Sequence, residues 1–211
     1  AAEMIKRYVT LGNRLTAPVL NAIGMRYVCL LNTTELNAID SNSLKTASLD
    51  PSACSQLTKD ILYSKAKRAF SDQHNSRAYY TLIKPYLGGA PAVDLRALSK
   101  DRVNMDIETF TKLRRDSLLS LTPAEVKDLL GVNLKALTTV QKKSPIREWI
   151  QMQKQSDLDK LGVGLIGGTQ EGYINVITPK FQTPSSAPLG AMAFHLLPAL
   201  LLSFLMMLVL S

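Results

Sequence analysis

Few residue types that could carry out covalent or metal chemistry are present, and they are scattered. The 211 residues include two histidines, His74 and His195, and two cysteines, Cys29 and Cys54. None of the patterns H-E-x-x-H, G-x-S-x-G or C-x-x-C occurs. His195 lies in an apolar stretch, so a zinc site or a Ser-His-Asp triad would have to be built on His74.

His74 itself lies in a polar stretch, SDQHNS, that reads as a turn between helices. A solvated turn histidine is the simpler interpretation, and a secreted hydrolase would need Ser and Asp side chains to converge there. The glycine-rich GVGLIGG follows a helical pattern and lacks the Lys-Ser/Thr ending of a phosphate-binding loop. The sequence therefore predicts a protein that is not an enzyme and that has no metal and no cofactor.

The state of the two cysteines depends on the cellular compartment in which the protein resides. In an oxidising compartment Cys29 and Cys54 would form one disulfide, worth about 3 kcal/mol of loop-closure entropy, whereas a cytosolic protein would keep two buried thiols. Between them, Asn32-Thr33-Thr34 is an acceptor sequence for N-glycosylation. Outside the cell we expect a disulfide and a glycan on Asn32.

A long uncharged stretch follows a proline- and serine-containing segment. Residues 189–210 carry no charge and are almost wholly apolar from 196 onward, after Pro184, Ser185 and Ser186. Small residues, a spacer and a hydrophobic tail form the signal for a glycosylphosphatidylinositol (GPI) anchor. We predict attachment at Ser185, with Ser186 as second choice, and removal of 189–211.

Other interpretations of this stretch remain open. A tail-anchored or single-pass scaffold would face the cytosol with Cys29 and Cys54 free and Asn32 unmodified, and a buried core helix is a further alternative. The first fourteen residues lack the apolar core of a secretory signal, although a GPI anchor requires translocation. We therefore expect this chain to be the C-terminal piece of a longer precursor.

The formal net charge of +8 comes from the region before the tail. Most such charges form solvated faces, and the alternative is an acidic partner. Outside the cell that partner would be an extracellular-matrix glycoprotein or an acidic glycan, and not a nucleic acid. The basic residues cluster at three places: Lys65, Lys67 and Arg68; Lys112, Arg114 and Arg115; and Lys142 and Lys143.

Helices must position these residues, because apolar residues recur at helical spacing through most of the chain. Three helix starts place a capping side chain before proline: Asp50-Pro51, Thr122-Pro123 and Ser144-Pro145. Glu125 completes a capping box at Thr122, and Gly131 ends that helix. After Ser144-Pro145 the helical pattern runs to Gly162, and further helices are expected over 77–87, 93–98 and 107–121.

The pattern predicts an all-α fold, either an irregular helical array or an α-solenoid with an armadillo-like superhelix. A short glycine-rich extended segment and the hydrophobic tail follow. The predicted organisation is an ectodomain over 1–178, a flexible linker with the anchor site over 179–188, and the tail over 189–211.

Residues 144–176 resemble the C-terminal signature of the mesothelin, stereocilin and otoancorin family. Within that family, the stretch is most similar to the C-terminal part of otoancorin-type members. The residues that carry the resemblance are Arg147, Trp149, Ile150, Asp157, Leu158, Asp159, Leu161, Gly162, Gly164, Gly167, Gly168, Gly172 and Tyr173.

The resemblance implies a GPI-anchored, non-catalytic protein of the apical cell surface with a superhelical ectodomain. Otoancorin-like members are held to attach an acellular gel, the tectorial membrane, to epithelial cells, and mesothelin-like members act in adhesion by binding a glycosylated mucin. The family's partner-binding surface lies mainly in a more N-terminal part of the ectodomain. No binding residue is therefore assigned by the resemblance.

Overall fold

Residues 2–74 and 78–172 are described by the computed structural model, and they form a succession of short helices. No strand occurs among them, which confirms the all-α prediction for this part of the chain. The α-helices are α1 (Ala2–Thr10), α2 (Ala17–Val28), α3 (Thr33–Asn37), α4 (Gln56–Ala69), α5 (Tyr79–Ile83), α6 (Ala92–Lys100), α7 (Ile107–Thr111), α8 (Arg115–Leu119), α9 (Pro123–Leu130), α10 (Leu137–Val140), α11 (Ile146–Met152) and α12 (Gln155–Asp159). Turns of 3-10 helix lie at Ser41–Lys45, Pro51–Ala53, Ser71–Gln73, Lys84–Gly89 and Gly131–Ala136.

The start and end of α9 are as predicted. Thr122 Oγ1 accepts a hydrogen bond from the Glu125 amide at 3.3 Å, and Glu125 Oε2 accepts one from the Thr122 amide at 2.8 Å. This reciprocal pair satisfies two amides that a helix leaves without partners. Gly131, with φ of +50°, ends the helix in a conformation that glycine adopts most easily.

The predicted helix start at Asp50 is wrong for α4. Asp50 accepts a hydrogen bond from the Ser52 amide at 3.0 Å and caps the 3-10 turn Pro51–Ala53. Cys54 then takes an extended backbone conformation, with φ of −74° and ψ of 166°, which a helix cannot pass through. Ser55 is the residue that caps α4, so Cys54 precedes that helix.

The helix predicted to run from Ser144-Pro145 to Gly162 is two helices. Ser144 makes no cap to the backbone of α11, and its hydroxyl donates to Glu148 Oε1 at 2.8 Å. Between α11 and α12, Gln153 accepts from the Thr169 amide, and Thr169 accepts from the Gln155 amide, both at 2.8 Å. The glycine-rich segment thus supplies backbone partners that replace a turn of helix.

Other predicted helices are also subdivided. The stretch 107–121 forms α7 and α8, and the expected helix over 77–87 is α5 continued by the 3-10 turn Lys84–Gly89. Of the extended C-terminal segment, only residues up to 172 are described. The armadillo-like superhelix remains a prediction.

One continuous hydrophobic core runs through the described residues, from Ile5 to Leu165. At its N-terminal side, α4 packs against α3, α5 and the three 3-10 turns at 41–45, 51–53 and 84–89. Farther along the chain, α6 packs on α9 and α8 packs on α11. These helices therefore bury their apolar faces against elements that precede or follow them along the chain.

Polar contacts between these elements recur at similar sequence separations. The Lys67–Asp94 ion pair spans 27 residues, the hydrogen bond from Ser117 to the Ala90 carbonyl spans 27, and the bond from Trp149 to the Leu121 carbonyl spans 28. A stack of units of nearly constant length produces contacts of this kind. The separation was not visible as a repeat in the sequence.

Candidate functional site

His74 is exposed in the structure, as expected of a turn histidine. Its ring lies 4.6 Å from the ring of Tyr79, at an interplanar angle of 43°. The nearby cleft has a volume of about 700 Å³ and is lined by basic, aromatic and apolar residues and by Asp101, without serine or cysteine among the residues described there. The described residues also contain no group of three or more His, Cys, Asp or Glu side chains placed to hold a metal ion.

The two cysteines form a disulfide. Cys29 and Cys54 are joined with a Cα–Cα distance of 4.8 Å. The bond connects the C-terminal end of α2 to the residue that follows the turn Pro51–Ala53. It therefore closes a loop that contains α3 and its capping residue.

Asn32, the predicted glycosylation site, is the exposed N-cap of α3. Its Oδ1 accepts from the Glu35 amide at 3.0 Å, and the Glu35 carboxylate accepts from the Asn32 amide at 2.9 Å. An N-linked glycan is attached through Nδ2, which takes no part in this capping box. The cap and a glycan are therefore compatible at this position.

Four of the eight clustered basic residues form ion pairs among the described residues, three of them with a carboxylate of another helix. Lys67 contacts Asp94 at 2.7 Å, and Arg114 contacts Asp60 at 2.9 Å. Two further pairs, Arg115–Glu148 at 2.9 Å and Lys112–Glu108 at 2.7 Å, account for the second cluster. These four cations thus bind within the protein, and the clusters do not form one continuous free basic face.

A second cleft, of about 360 Å³, lies where α4, α7 and the turn Lys84–Gly89 meet. Lys84 contacts Asp106 at 2.8 Å across this cleft. Burial raises the pKa of Asp106, but the hydrogen bonds from Lys84 and Thr109 outweigh burial and lower it to about 2. The charges of this cleft are largely matched within the protein.

A third cleft differs from the second, because its cations form no ion pair among the described residues. Its wall is built where Leu15 pairs with the chain at Ile39: the Leu15 amide donates to the Ala38 carbonyl at 3.1 Å, and the Asp40 amide donates to the Leu15 carbonyl at 3.3 Å. Leu15 is fully buried. Because side chains alternate along an extended segment, Arg14 is directed away from the core and is exposed.

The opposite wall of this third cleft is one face of α4. Lys65 and Arg68 line this cleft and fall three residues apart, so they share a face of α4. Ile61 and Ser64 lie on the same face and line an adjoining cleft with them. The Lys65 ammonium donates to the Asn37 carbonyl at 3.0 Å and to the Ile39 carbonyl at 2.8 Å, which ties α4 to the opposite wall.

Positively charged side chains outnumber negatively charged ones in the third cleft. It has a volume of about 410 Å³, and Arg14, Lys65 and Arg68 line it together with a single carboxylate, Asp40. Burial and then repulsion from Arg68 lower the pKa of Lys65. Arg14 and Arg68 form no ion pair within the described ranges 2–74 and 78–172. We call this site, with its lining of Arg14, residues 37–42, Lys65 and Arg68, the basic cleft.

Sequence reasoning grouped Lys65, Lys67 and Arg68, but the structure divides them. Lys67 points to α6, whereas Lys65 and Arg68 line the basic cleft with Arg14. No sequence signal connects Arg14 to α4, because only the folded chain brings residues so far apart together. Lys65 and Arg68 are three residues apart on α4 and share a face.

The predicted anchor residues, Ser185 and Ser186, lie outside the described residues, as do the linker over 179–188 and the tail over 189–211. Within the ranges that are described, none of the helices has both the length and the apolar character needed to cross a bilayer.

Comparison with known proteins gives a consistent result. The family model for mesothelin matches residues 1–211. Mesothelin of Rattus norvegicus is 40% identical over 205 residues, which are 94% of this chain and 33% of the relative. Mesothelin of Mus musculus is 40% identical over 178 residues, 82% of this chain and 28% of the relative. A mesothelin-like protein of Mus musculus is 32% identical over 185 residues, 87% of this chain and 27% of the relative. The chain thus spans a third or less of the length of these relatives.

Proposed function

This chain belongs to the mesothelin family, and from that premise we propose that it is a non-enzymatic adhesion protein held on the outer face of the plasma membrane. The observation that carries the proposal is the family membership, which extends over the whole chain. Within the described part, the surface offers charged clefts and a helical stack in place of a cluster of nucleophile, base and acid. Such a stack suits the binding of an extended partner.

Two local features support the extracellular side. The Cys29–Cys54 disulfide is of a kind that persists in oxidising compartments. Asn32 is exposed, and its cap to α3 leaves Nδ2 available for a glycan. A protein facing the cytosol would be expected to have neither the disulfide nor the glycan.

The proposed attachment to the membrane is a GPI anchor at Ser185 or Ser186. Its support is the sequence pattern alone: small residues next to Pro184, a short spacer and the uncharged residues 189–210.

The proposed partner is an extracellular glycoprotein. The matched relatives are mesothelins and a mesothelin-like protein. Because the family resemblance implies that mesothelin-like members bind a glycosylated mucin, a mucin is the first candidate partner. The resemblance of 144–176 to otoancorin-type members motivates the second candidate, attachment to a tectorial-membrane-like gel at an apical surface. The two candidates differ in the partner and share the adhesive function.

We further propose that the helices stack as an α-solenoid. Contacts between elements recur at 27 and 28 residues, as in Lys67–Asp94 and Trp149–Leu121, and the Arg114–Asp60 contact spans 54, twice the smaller separation. Stacked units of nearly constant length make contacts at such a recurring separation.

An adhesion assay tests the function. The full chain, placed behind a secretory leader, is displayed on cells that lack it, and these cells are allowed to attach to mucin-coated surfaces, tectorial-type matrix gel or albumin. We expect attachment to mucin above that of mock-transfected cells, and loss of attachment when soluble mucin competes. Attachment to the gel alone would favour the second candidate. Equal attachment of displaying and mock cells to every surface would contradict the adhesive function.

A further inference from the structure

We propose that the basic cleft binds the anionic group of an acidic sugar, a carboxylate or a sulfate, between Arg14 and Arg68. This inference rests on the proposed adhesive function and gives it a specific site. The cleft combines free guanidinium groups with a rigid wall and with short polar side chains, and each of these contributes differently to recognition of a saccharide.

The guanidinium groups supply the charge recognition. Arg14 and Arg68 line the same cleft from opposite walls, and neither forms an ion pair in the part of the chain that is described. A guanidinium presents a planar fork of N–H donors that fits the two oxygens of a carboxylate or a sulfate. An anion placed between them would also offset the mutual repulsion of Lys65 and Arg68, which contributes to the lowered pKa of Lys65.

Lys65 has a different role, because its ammonium already donates to two backbone carbonyls of the protein. Its ammonium binds the carbonyls of Asn37 and Ile39, at 3.0 and 2.8 Å, and so fixes the distance between α4 and the segment that carries Asp40. Lys65 is therefore a positioning residue for the walls of the cleft. Its substitution would disturb the fold and is not a clean test of binding.

The remaining lining suits the hydroxyl groups of a sugar. Asn37, Ser41 and Asn42 lie along the wall opposite α4, and Ser64 lies beside Arg68 in an adjoining cleft of about 300 Å³. Amide and hydroxyl side chains both donate and accept hydrogen bonds, which is what a ring with several hydroxyl groups requires. The two adjoining clefts fall within the size range of small-ligand sites.

Substitution of Asp40 provides a test in which ligand binding should become stronger. It is the one carboxylate of the cleft, and its Oδ2 accepts a hydrogen bond from the Ser43 hydroxyl at 3.2 Å. An anionic ligand would be repelled by this charge. Asp40→Asn keeps an oxygen that can accept from Ser43 while removing the charge, so it should strengthen binding, an effect that misfolding cannot imitate.

Binding is measured with the full chain displayed on cells and quantified by an epitope tag. The probes are fluorescent conjugates of sialyllactose and of a sulfated heparin tetrasaccharide, with lactose and a desulfated, re-N-acetylated and carboxyl-reduced tetrasaccharide as neutral counterparts. The paired substitution Arg14→Ala and Arg68→Ala should weaken binding of at least one acidic probe roughly tenfold or more, as loss of a charge-assisted hydrogen bond predicts. Asp40→Asn should tighten binding of the same probe by about twofold or more.

The matched control removes two positive charges elsewhere. Lys135→Ala and Lys142→Ala alter exposed lysines outside the basic cleft and should change binding by less than about twofold. If both double variants lose probe binding equally, the attraction is electrostatic and not specific to the basic cleft, and the proposal is overturned. Binding of acidic and neutral probes with equal affinity by the unaltered protein would also overturn it. Whichever acidic probe responds identifies the source of the anion.

The same cells separate this proposal from the adhesive function. If the Arg14/Arg68 variant loses neither probe binding nor attachment, the basic cleft is not the site, and adhesion stands. If cells displaying the unaltered protein do not attach to any surface, the proposed adhesive function is wrong, whether or not the sugar probes bind.

Discussion

Buried side-chain donors in this protein reach backbone carbonyls of other segments of the chain, in helices or in the connections between them. Ser117 donates to the Ala90 carbonyl at 2.8 Å, and the indole of Trp149 donates to the Leu121 carbonyl at 2.7 Å. Ser99 likewise donates to the Glu125 carbonyl at 3.0 Å. Because these carbonyls are shielded from water, each bond satisfies a group that would otherwise be costly to bury.

Ser117→Ala tests the strength of such a contact. The substitution leaves the Ala90 carbonyl without its buried donor, so we expect the free energy of unfolding to fall by about 1 to 3 kcal/mol. Urea denaturation can be followed by the fluorescence of Trp149, the one tryptophan of the chain.

Ser120→Ala is the matched control for this change. Its hydroxyl is exposed and donates to the Ser117 carbonyl of its own turn. We expect a change within about 0.5 kcal/mol. Equal losses in the two variants would show that the contact between Ser117 and Ala90 contributes nothing of its own.

Asp106 allows a prediction about pH. Its pKa of about 2 in the folded protein is below the ordinary value of 3.8, because the bonds from Lys84 and Thr109 outweigh burial. The carboxylate therefore stabilises the fold above about pH 4, and this contribution is lost as pH falls toward 2. The side chain is 41% exposed, so solvent screening reduces the contribution to about 1 kcal/mol.

Asp106→Asn isolates that charge, because asparagine caps a helix as well as aspartate does. We expect the variant to be less stable than the unaltered protein by about 1 kcal/mol at pH 7, and equally stable near pH 2. Urea denaturation at several pH values measures the difference. A difference that stays constant from pH 7 to pH 2 would contradict the assignment.

Among the elements, the close approach of α4 to the turn Lys84–Gly89 depends on one glycine. A Cβ at Gly89 would overlap the backbone carbonyl of Lys59 in α4. Because both partners are backbone, a larger residue can be accommodated only if the two elements move apart.

Gly89→Ala should therefore destabilise the protein by about 3 kcal/mol, the cost of separating two packed elements. Gly162→Ala is the comparison: its φ is +70°, but open space surrounds the new methyl group. We expect about 1 kcal/mol there, from backbone strain alone. Thermal unfolding of the two variants measures the contrast, and similar losses would argue against the close packing of α4.

The sequence allowed helix ends to be predicted where the signal is local. The capping box of Thr122 and Glu125 and the stop at Gly131 are both confirmed, because each depends on a few neighbouring residues. The start of α4 and the break between α11 and α12 were predicted wrongly. At α4 two capping residues five apart, Asp50 and Ser55, compete, and the structure uses Asp50 for a 3-10 turn and Ser55 for the helix. The break between α11 and α12 depends on the backbone of Thr169, which lies farther along the chain.

At the scale of the molecule, several basic residues of the described part connect elements that lie apart in the sequence. The ion pairs Lys67–Asp94, Arg96–Glu125 and Arg115–Glu148 each join residues of different helices. The sequence showed which residues are basic, but not which acids face them. The basic cleft could not be predicted for the same reason, since Arg14 meets Lys65 and Arg68 only in the folded chain.

The family could be predicted from the sequence because residues 144–176 carry a distinctive order of Trp149, paired acids and glycines. The structure gives a reason for that order. Trp149 is fully buried, and Gly168 packs so tightly against Gln153 and Leu158 that a Cβ would lie 2.8 Å from Leu158. These residues therefore determine how the last described helices pack.

Enzymatic release from the cell surface tests the central claim, a helical adhesion module held outside the cell by a lipid. Cells displaying the full chain are treated with phosphatidylinositol-specific phospholipase C, and the protein is then quantified on the cells and in the medium. Its molecular mass is measured by mass spectrometry. The account predicts release of a protein that carries a glycan at Asn32, contains the Cys29–Cys54 disulfide and lacks residues 189–211. A protein that stays on the membrane after treatment, with both cysteines free and those residues retained, would contradict it.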